Sequence, residues 1–287
     1  MKRIGIIGLG LIGGSIASGL RRRNLAEHIV AYDINSSSLA SALGEGIIDS
    51  VASSIIEAAT GVDLVIISVP VLGTQSILEQ IPFNTLITDV GSVKAPIIEA
   101  SKLAYGKVPA KLVPGHPIAG SEKQGFGAAN PDLFENHKVI LTPLEFTDKN
   151  ATNSVCSLWK SLGASVIEMS VKGHDSILAQ TSHLPHLLAY ALIETVSSRG
   201  DTMEVLKFAA GGFRDFSRIA ASDPVIWRDI FQANAPELIG VLDRFLGEIS
   251  DLRKMIRDGD SDGMEQVFTR ARHARNYYLE QTKEYDS

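Results

Sequence analysis

The sequence predicts an α/β fold: a doubly wound, mostly parallel sheet over residues 1–170, then an all-helical domain over residues 171–287. Three observations predict it. The first half repeats short Ile/Val/Leu runs with little in–out alternation, as parallel strands buried on both faces do. Helical patterns separate these runs, and repeated strand–helix units imply right-handed crossovers on one sheet. After about SVIEMS, residues 165–170, the strand-like runs stop and helical periodicity takes over.

In chain order the strand candidates are RIGIIGLG, HIVAYD, DLVIISVP, TLITDVGS, KLVPGHP and KVILTP. Between them lie helix candidates over 11–23, 36–45, 72–80 and 94–105; in the first, Ile12, Ile16 and Leu20 recur every four residues on one face. The second half reads as helices over 174–199, 202–210, 224–257 and 262–283. Within 224–257, Leu238, Leu242, Phe245, Ile249, Leu252 and Ile256 follow spacings of 4 and 3. That heptad seam is too short to define a coiled coil by itself. It fits either a core or, as expected for a bundle fused to a nucleotide domain, the interface of a homodimer.

Composition narrows the function. The chain has 287 residues, 45% hydrophobic and 21% charged, enough to bury a real core in one large or two ordinary domains. A net charge of −6 leaves no basic footprint for nucleic acid or an anionic membrane. The run Arg21-Arg22-Arg23 falls where the first helix should end, as solvated cations complementing its dipole. One cysteine, Cys156, excludes a disulfide framework. The start MKRIGIIGLGLIGGSIASGL imitates a signal peptide, but its glycines follow a nucleotide-loop pattern and no small-x-small cleavage site follows. The uncharged stretch is too short for a membrane span, so a soluble cytoplasmic protein is expected.

Gly8-Leu9-Gly10-Leu11-Ile12-Gly13 is GxGxxG, following a strand and opening a helix. In that setting the glycines permit a tight turn, close backbone approach to a pyrophosphate and tight helix–strand packing, and the helix N-terminus receives the anion. Asp33 ends the next strand, twenty residues after Gly13, where a carboxylate accepts from the adenine ribose hydroxyls; the plainer reading is a turn or helix cap. The domain is thus Rossmann-like. No arginine follows Asp33 in DINSSS to hold a 2′-phosphate, so the expected cofactor is NAD rather than NADP. Ser68, Val69 and Pro70, and Gly91 after the TLITDV strand, sit on the carboxyl edge of the sheet where the cofactor would lie.

Four further stretches carry candidate chemistry: DVGSVK (89–94), VPGHPIAGSE (113–122), TSHLPH (181–186) and GGFRDFSRIA (211–220). Pro114 and Pro117 brace His116 on an extended turn, and Ser92 follows a strand end on the same edge. A Ser–His pair without a nucleophile elbow, beside a nicotinamide, suits proton removal from a hydroxyl while hydride leaves the same carbon. His183 and His186 are three apart, but no further ligand of zinc spacing accompanies them, so no metal is expected. Arg214 and Arg218 are four apart; they read either as solvated ion pairs or as a guanidinium fork for a substrate carboxylate.

Together, and in this order, GxGxxG, DVGSVK, GHPIAGSE, SHLPH and GGFRDFSRIA resemble the prephenate/arogenate dehydrogenases of tyrosine biosynthesis, over residues 1 to about 235. The resemblance implies a Rossmann-like domain and a helical dimerisation domain with the active site between them. It implies NAD-dependent oxidative decarboxylation of a small cyclohexadiene bearing a ring carboxylate and a 4-hydroxyl. It makes His116 the group that takes the hydroxyl proton and Ser92 the residue that orients both. Arg218 would bind a substrate carboxylate, with Ser182 and His186 nearby and His183 at the entrance. Trp227 would complete the site, from the same subunit or its partner. Ser121 and Glu122 fall where the substrate side chain would reach. A carboxylate at 122 would favour the ammonium of arogenate over the keto group of prephenate; a surface pair with Lys123 is the alternative. Some relatives carry an extra C-terminal regulatory domain; none is expected after the charged helical end of this sequence, so feedback by tyrosine would compete at the active site.

Two other readings fit parts of the sequence. A β-hydroxyacid dehydrogenase or pyrroline-carboxylate reductase shares the glycine loop and helices, but the Lys/Asn pair of the former has no counterpart in the second half. A non-catalytic NAD-binding redox sensor would not need Ser92, His116 and Arg218 together.

Overall fold

The computed structural model describes residues 1–121, 123–198 and 206–283. The chain divides into two compact units, Met1–Ala235 and Pro236–Ser287.

The first unit is built on a parallel sheet of β1 (Arg3–Ile7), β2 (His28–Tyr32), β3 (Ser50–Val51), β4 (Leu64–Ile67), β5 (Ile87–Asp89) and β6 (Leu112–Val113), in the order β3-β2-β1-β4-β5-β6. Helices α1 (Leu11–Arg22), α2 (Ser36–Gly44), α3 (Ile55–Ala59), α4 (Thr74–Leu78) and α5 (Ala95–Tyr105) connect the strands. The unalternated apolar runs have the cause expected of them: Ile4, Ile6, Leu64 and Ile66 bury in one cluster, and Ile7, Val65, Ile67 and Ile87 in another. Strand order reverses between β1 and β4, so the loops after these strands flank the crevice in which such sheets bind ligands.

KLVPGHP departs from the expected single strand. Pro114 breaks it: β6 stays in the parallel sheet, whereas β7 (Gly115–Pro117) pairs antiparallel with β8 (Lys138–Leu141). β9 (Ser165–Glu168) runs parallel to β8 and completes a second, three-stranded sheet, with α6 (Lys149–Ser161) between them. The three arginines ending α1 are a clasp rather than free cations: Arg21 pairs with Asp49, Arg22 with Asp132, and Arg23 with Asp132 and Glu135.

The helix expected over 174–199 starts at 171 and contains a π-helical turn: α7 (Val171–Leu178), the wide turn Ala179–His183, then α8 (Leu184–Ser197). Of the helix expected over 202–210, residues 202–205 lie outside the described residues; of the rest only Leu206 is helical, and a turn leads on to the next helix. α9 (Gly211–Ser217) and α10 (Pro224–Ala233) follow. The continuous helix expected over 224–257 breaks at Asn234, and α11 (Ala235–Asp258) restarts with Pro236 in its first turn, where a missing N–H does no harm.

The second unit consists of α11 and α12 (Ser261–Lys283). The anticipated seam is not uniform. Leu238 is buried, whereas Ile249 and Ile256 are exposed together with Ile239 and Leu246. No described helix is long and apolar enough to cross a membrane.

Candidate active site

The glycine loop leaves β1 at Gly8, whose φ of 94° only glycine adopts without strain. A β-carbon at Gly13 would stand 2.0 Å from the Gly8 carbonyl oxygen, so the turn and the start of α1 close on each other only with glycine there. Gly10 precedes α1 without a side-chain cap, leaving the first-turn N–H groups of Leu11 and Ile12 for an anion. Asp33 accepts from Leu9 N–H with one oxygen and from Asn35 N–H with the other (2.7 Å), while Asn35 caps α2. Asp33 therefore makes the turn of the plainer reading and also ties down the glycine loop, whereas the helix cap falls to Asn35. Each oxygen keeps a further lone pair for a ribose hydroxyl. Ser68, Val69 and Pro70 lie across the crevice, with the Ser68 hydroxyl beside the Gly13 position. These features fit a dinucleotide. Gly91, on the same edge, gives its N–H to Asp89 at 2.9 Å.

His116 stands on β7 rather than on a free loop, opposite Ile140 of β8, and is 9% exposed. Its strand is tied to the carboxyl edge of the main sheet by Asp89, which ends β5. Asp89 accepts from Gly115 N–H at 3.1 Å and from Lys94 Nζ at 2.6 Å, and the same Nζ donates to the Gly115 carbonyl at 2.6 Å. Lys94 is fully buried. Burial lowers its pKa, against the pull of Asp89 and Asp175.

The hydrogen-bond partner of His116 is His174, not Ser92. His116 Nδ1 lies 2.8 Å from His174 Nε2, and His174 Nδ1 lies 2.7 Å from Asp175 Oδ1. Both partners are buried on the first turns of α7. Ser92 is half-buried in the turn before α5, and among the described residues no hydrogen bond joins it to His116. Asp175 also accepts from Lys94 N–H and Ala95 N–H, both at 2.8 Å, and so anchors the α5 N-terminus. Burial pushes the His116 pKa well below its usual value, and His174, Lys94 and His183 add to this.

A second group lines up along the π-helical turn and α10. His183 is 1% exposed, so it is not an entrance residue. Its Nδ1 lies 3.1 Å from Asn234 Nδ2, which also donates to the Asp175 carbonyl at 2.8 Å; its Nε2 is buried with no hydrogen-bond partner among the described residues. Burial lowers His183 to about 4. His186 donates from Nδ1 to the Ser182 carbonyl at 2.9 Å and stacks on Trp227, ring centroids 3.5 Å apart. Burial and the nearby Arg218 charge lower its pKa. Trp227 therefore meets the two histidines within one chain. Arg218 begins the 3-10 turn after α9, and both it and Arg214 on α9 are exposed. Ser121 is exposed and accepts from Lys123 N–H; Glu122 lies outside the described residues. Among the described residues no group of three or more His, Cys, Asp or Glu side chains is arranged to hold a metal.

The structure thus brings together His116, His183, His186 and Trp227, and adds five residues that sequence reasoning missed: Asp89, Lys94, His174, Asp175 and Asn234. Lys94 sat inside the DVGSVK stretch, unremarked beside Ser92. The Asn-Ala-Pro sequence at 234–236 signalled a helix break. His174-Asp175 carried no local signal, since a polar pair on a helix reads as solvated.

This chain resembles known proteins over most of its length. Residues 16–168 match the prephenate dehydrogenase nucleotide-binding domain, and residues 170–270 the prephenate dehydrogenase dimerization domain. A prephenate dehydrogenase of Bacillus subtilis is 38% identical over 278 residues, covering 94% of this chain and 74% of that protein. A cyclohexadienyl dehydrogenase of Zymomonas mobilis is 36% identical over 285 residues, covering 96% and 95%. The crystal structure of prephenate dehydrogenase from A. aeolicus, in complex with hydroxyphenyl propionate and NAD+, superposes with a TM-score of 0.85 at 36% identity, covering 93% of this chain and 95% of that one. With two domains matched in order over most of its length, this chain belongs to the prephenate dehydrogenase family.

Proposed function

We propose that this protein is an NAD-dependent dehydrogenase that oxidatively decarboxylates prephenate, arogenate or both, with His116 as the base. The observation that carries the assignment is His116 itself. It is buried at the carboxyl edge of the sheet, with Nδ1 held by His174 and no protein partner at Nε2 among the described residues. When bound, NAD+ supplies the acceptor for the hydride on the carbinol carbon. His116 Nε2 takes the hydroxyl proton as the C–O bond becomes a carbonyl. The ring carboxylate then leaves as carbon dioxide, its bonding electrons entering the ring, and the aromatised oxygen regains a proton. A base depressed below the usual histidine pKa stays neutral and competent at neutral pH.

In the same reading Ser92, free of His116, meets the substrate hydroxyl directly. Arg218, beside His186, binds a substrate carboxylate. Residues 1–170 hold the cofactor and residues 171–287 supply the helical substrate and dimerisation part, acting in the cytoplasm. A homodimer would cover Ile239, Leu246, Ile249 and Ile256, which the isolated chain leaves exposed. The test is NADH formation, followed by absorbance, on mixing enzyme, NAD+ and either diene. Wild-type protein should produce it, and His116→Asn should lose about 10²–10⁴-fold in kcat while still binding NAD+. Normal turnover by the variant would remove His116 from the mechanism.

A further inference from the structure

Behind the base runs a chain of three side chains whose hydrogen-bond polarity is set at its far end. Asp175 is an acceptor three times over, from Lys94 N–H and Ala95 N–H at 2.8 Å each and from His174 Nδ1 at 2.7 Å. Burial raises a carboxyl pKa, yet His174 and the two backbone N–H groups hold Asp175 below its usual value, so it is a carboxylate. A carboxylate cannot donate; His174 Nδ1 must therefore carry the proton. Burial keeps His174 neutral, so its Nε2 is a lone pair, and His116 Nδ1, 2.8 Å away, must donate to it. A neutral His116 with its proton on Nδ1 has a bare Nε2.

We propose that Asp175 and His174 are positioning residues that hold His116 in the Nδ1–H tautomer, so that Nε2 meets the substrate hydroxyl as a proton acceptor. The opposite polarity would present Nε2–H, a donor with no capacity for the hydroxyl proton. Once Nε2 is protonated, the Nδ1 proton can pass to His174 Nε2, which places the positive charge beside the Asp175 carboxylate. The ionisable groups around this chain are Asp89 and Lys94 from the β5–α5 turn and His183 from the π-helical turn. Asn234 braces the same unit by donating to the Asp175 carbonyl. This inference rests on His116 being the base.

The test uses the full chain and three variants, His174→Gln, His174→Met and Asp175→Asn. Steady-state kinetics with prephenate or arogenate would be combined with nitrogen-15 spectra of histidine-labelled protein, which report the tautomer. Wild type and His174→Gln, which keeps a carbonyl acceptor for Nδ1–H, should show His116 protonated at Nδ1. His174→Gln should stay within about tenfold of wild-type kcat, whereas His174→Met and Asp175→Asn fall about 10²–10⁴-fold, with NAD+ affinity and KM within about threefold. Asp175→Asn should also move the acid limb of kcat to lower pH, because the lost carboxylate no longer stabilises the protonated pair. Equal losses in His174→Gln and His174→Met, or a wild-type His116 protonated at Nε2, would overturn the proposal. If Asp175→Asn does not fold, the two His174 variants still decide it. An active His116→Asn enzyme would instead defeat the base assignment, whereas an inactive one alongside an active His174→Met would defeat only the positioning chain.

Discussion

Replacing Lys94 by Met removes one charge from a site with no access to water while nearly keeping the side-chain volume. Lys94 is fully buried and Asp89 is 4% exposed, with Nζ and Oδ2 2.6 Å apart. In the variant the Asp89 carboxylate keeps only the N–H groups of Gly91 and Gly115. Leaving a buried charge without its partner costs about 3–5 kcal/mol. For a folding unit of this size that lowers Tm by roughly 6–20 °C. Urea unfolding at pH 7 measures the loss directly. The double variant Asp89→Asn/Lys94→Met should lie closer to wild type than Lys94→Met alone, because replacing both partners leaves no buried charge. Activity changes in a defined direction too. The Lys94 charge helps depress His116, so its removal raises the His116 pKa, although burial, the larger cause, still holds it below 6.5. A base works only when neutral; the acid limb of kcat/KM should therefore move to higher pH. A stability loss under about 1 kcal/mol, or an acid limb moving to lower pH, would refute the reasoning.

Other perturbations test separate parts of the molecule. Gly13→Ala puts a methyl group 2.0 Å from the Gly8 carbonyl, so NAD+ affinity measured by titration calorimetry should fall at least about tenfold, or about 1.4 kcal/mol, with the fold retained. Burial lowers His183 to about 4, so between pH 6.5 and 4 the unfolded chain binds a proton that the folded one refuses. Its contribution is complete above pH 6.5 and is lost as pH falls, by about 2 kcal/mol between pH 7 and 5. His183→Gln should flatten the wild-type slope by that amount in urea melts, and parallel slopes would contradict it. Arg218→Ala should raise substrate KM about tenfold or more and leave NAD+ affinity alone; an unchanged KM would take Arg218 out of the site.

Local sequence was enough for the cofactor half. Parallel strands buried on both faces must be apolar throughout, and a turn that packs against a pyrophosphate must be glycine, so β1, α1 and Gly8 to Gly13 were all legible. His116 was legible too, since its bracketing prolines excluded a helical stripe. The strand it sits on was not: Pro114 splits KLVPGHP between two sheets, and pairing across a sheet depends on partners distant in sequence.

What the sequence alone determined is the fold class, the cofactor and the family, and it singled out His116. The tertiary structure decided how that histidine is held. His174 lies 58 residues from His116 with Asp175 one residue beyond it, and Lys94 lies 81 residues from Asp175. Their roles arise only when α7 packs against the β5–α5 turn and both meet β7. The physical reason is burial: a histidine, a carboxylate and a lysine are unremarkable in water. Closed off from it, each must satisfy its hydrogen bonds with the others, and that requirement selects one arrangement of protons.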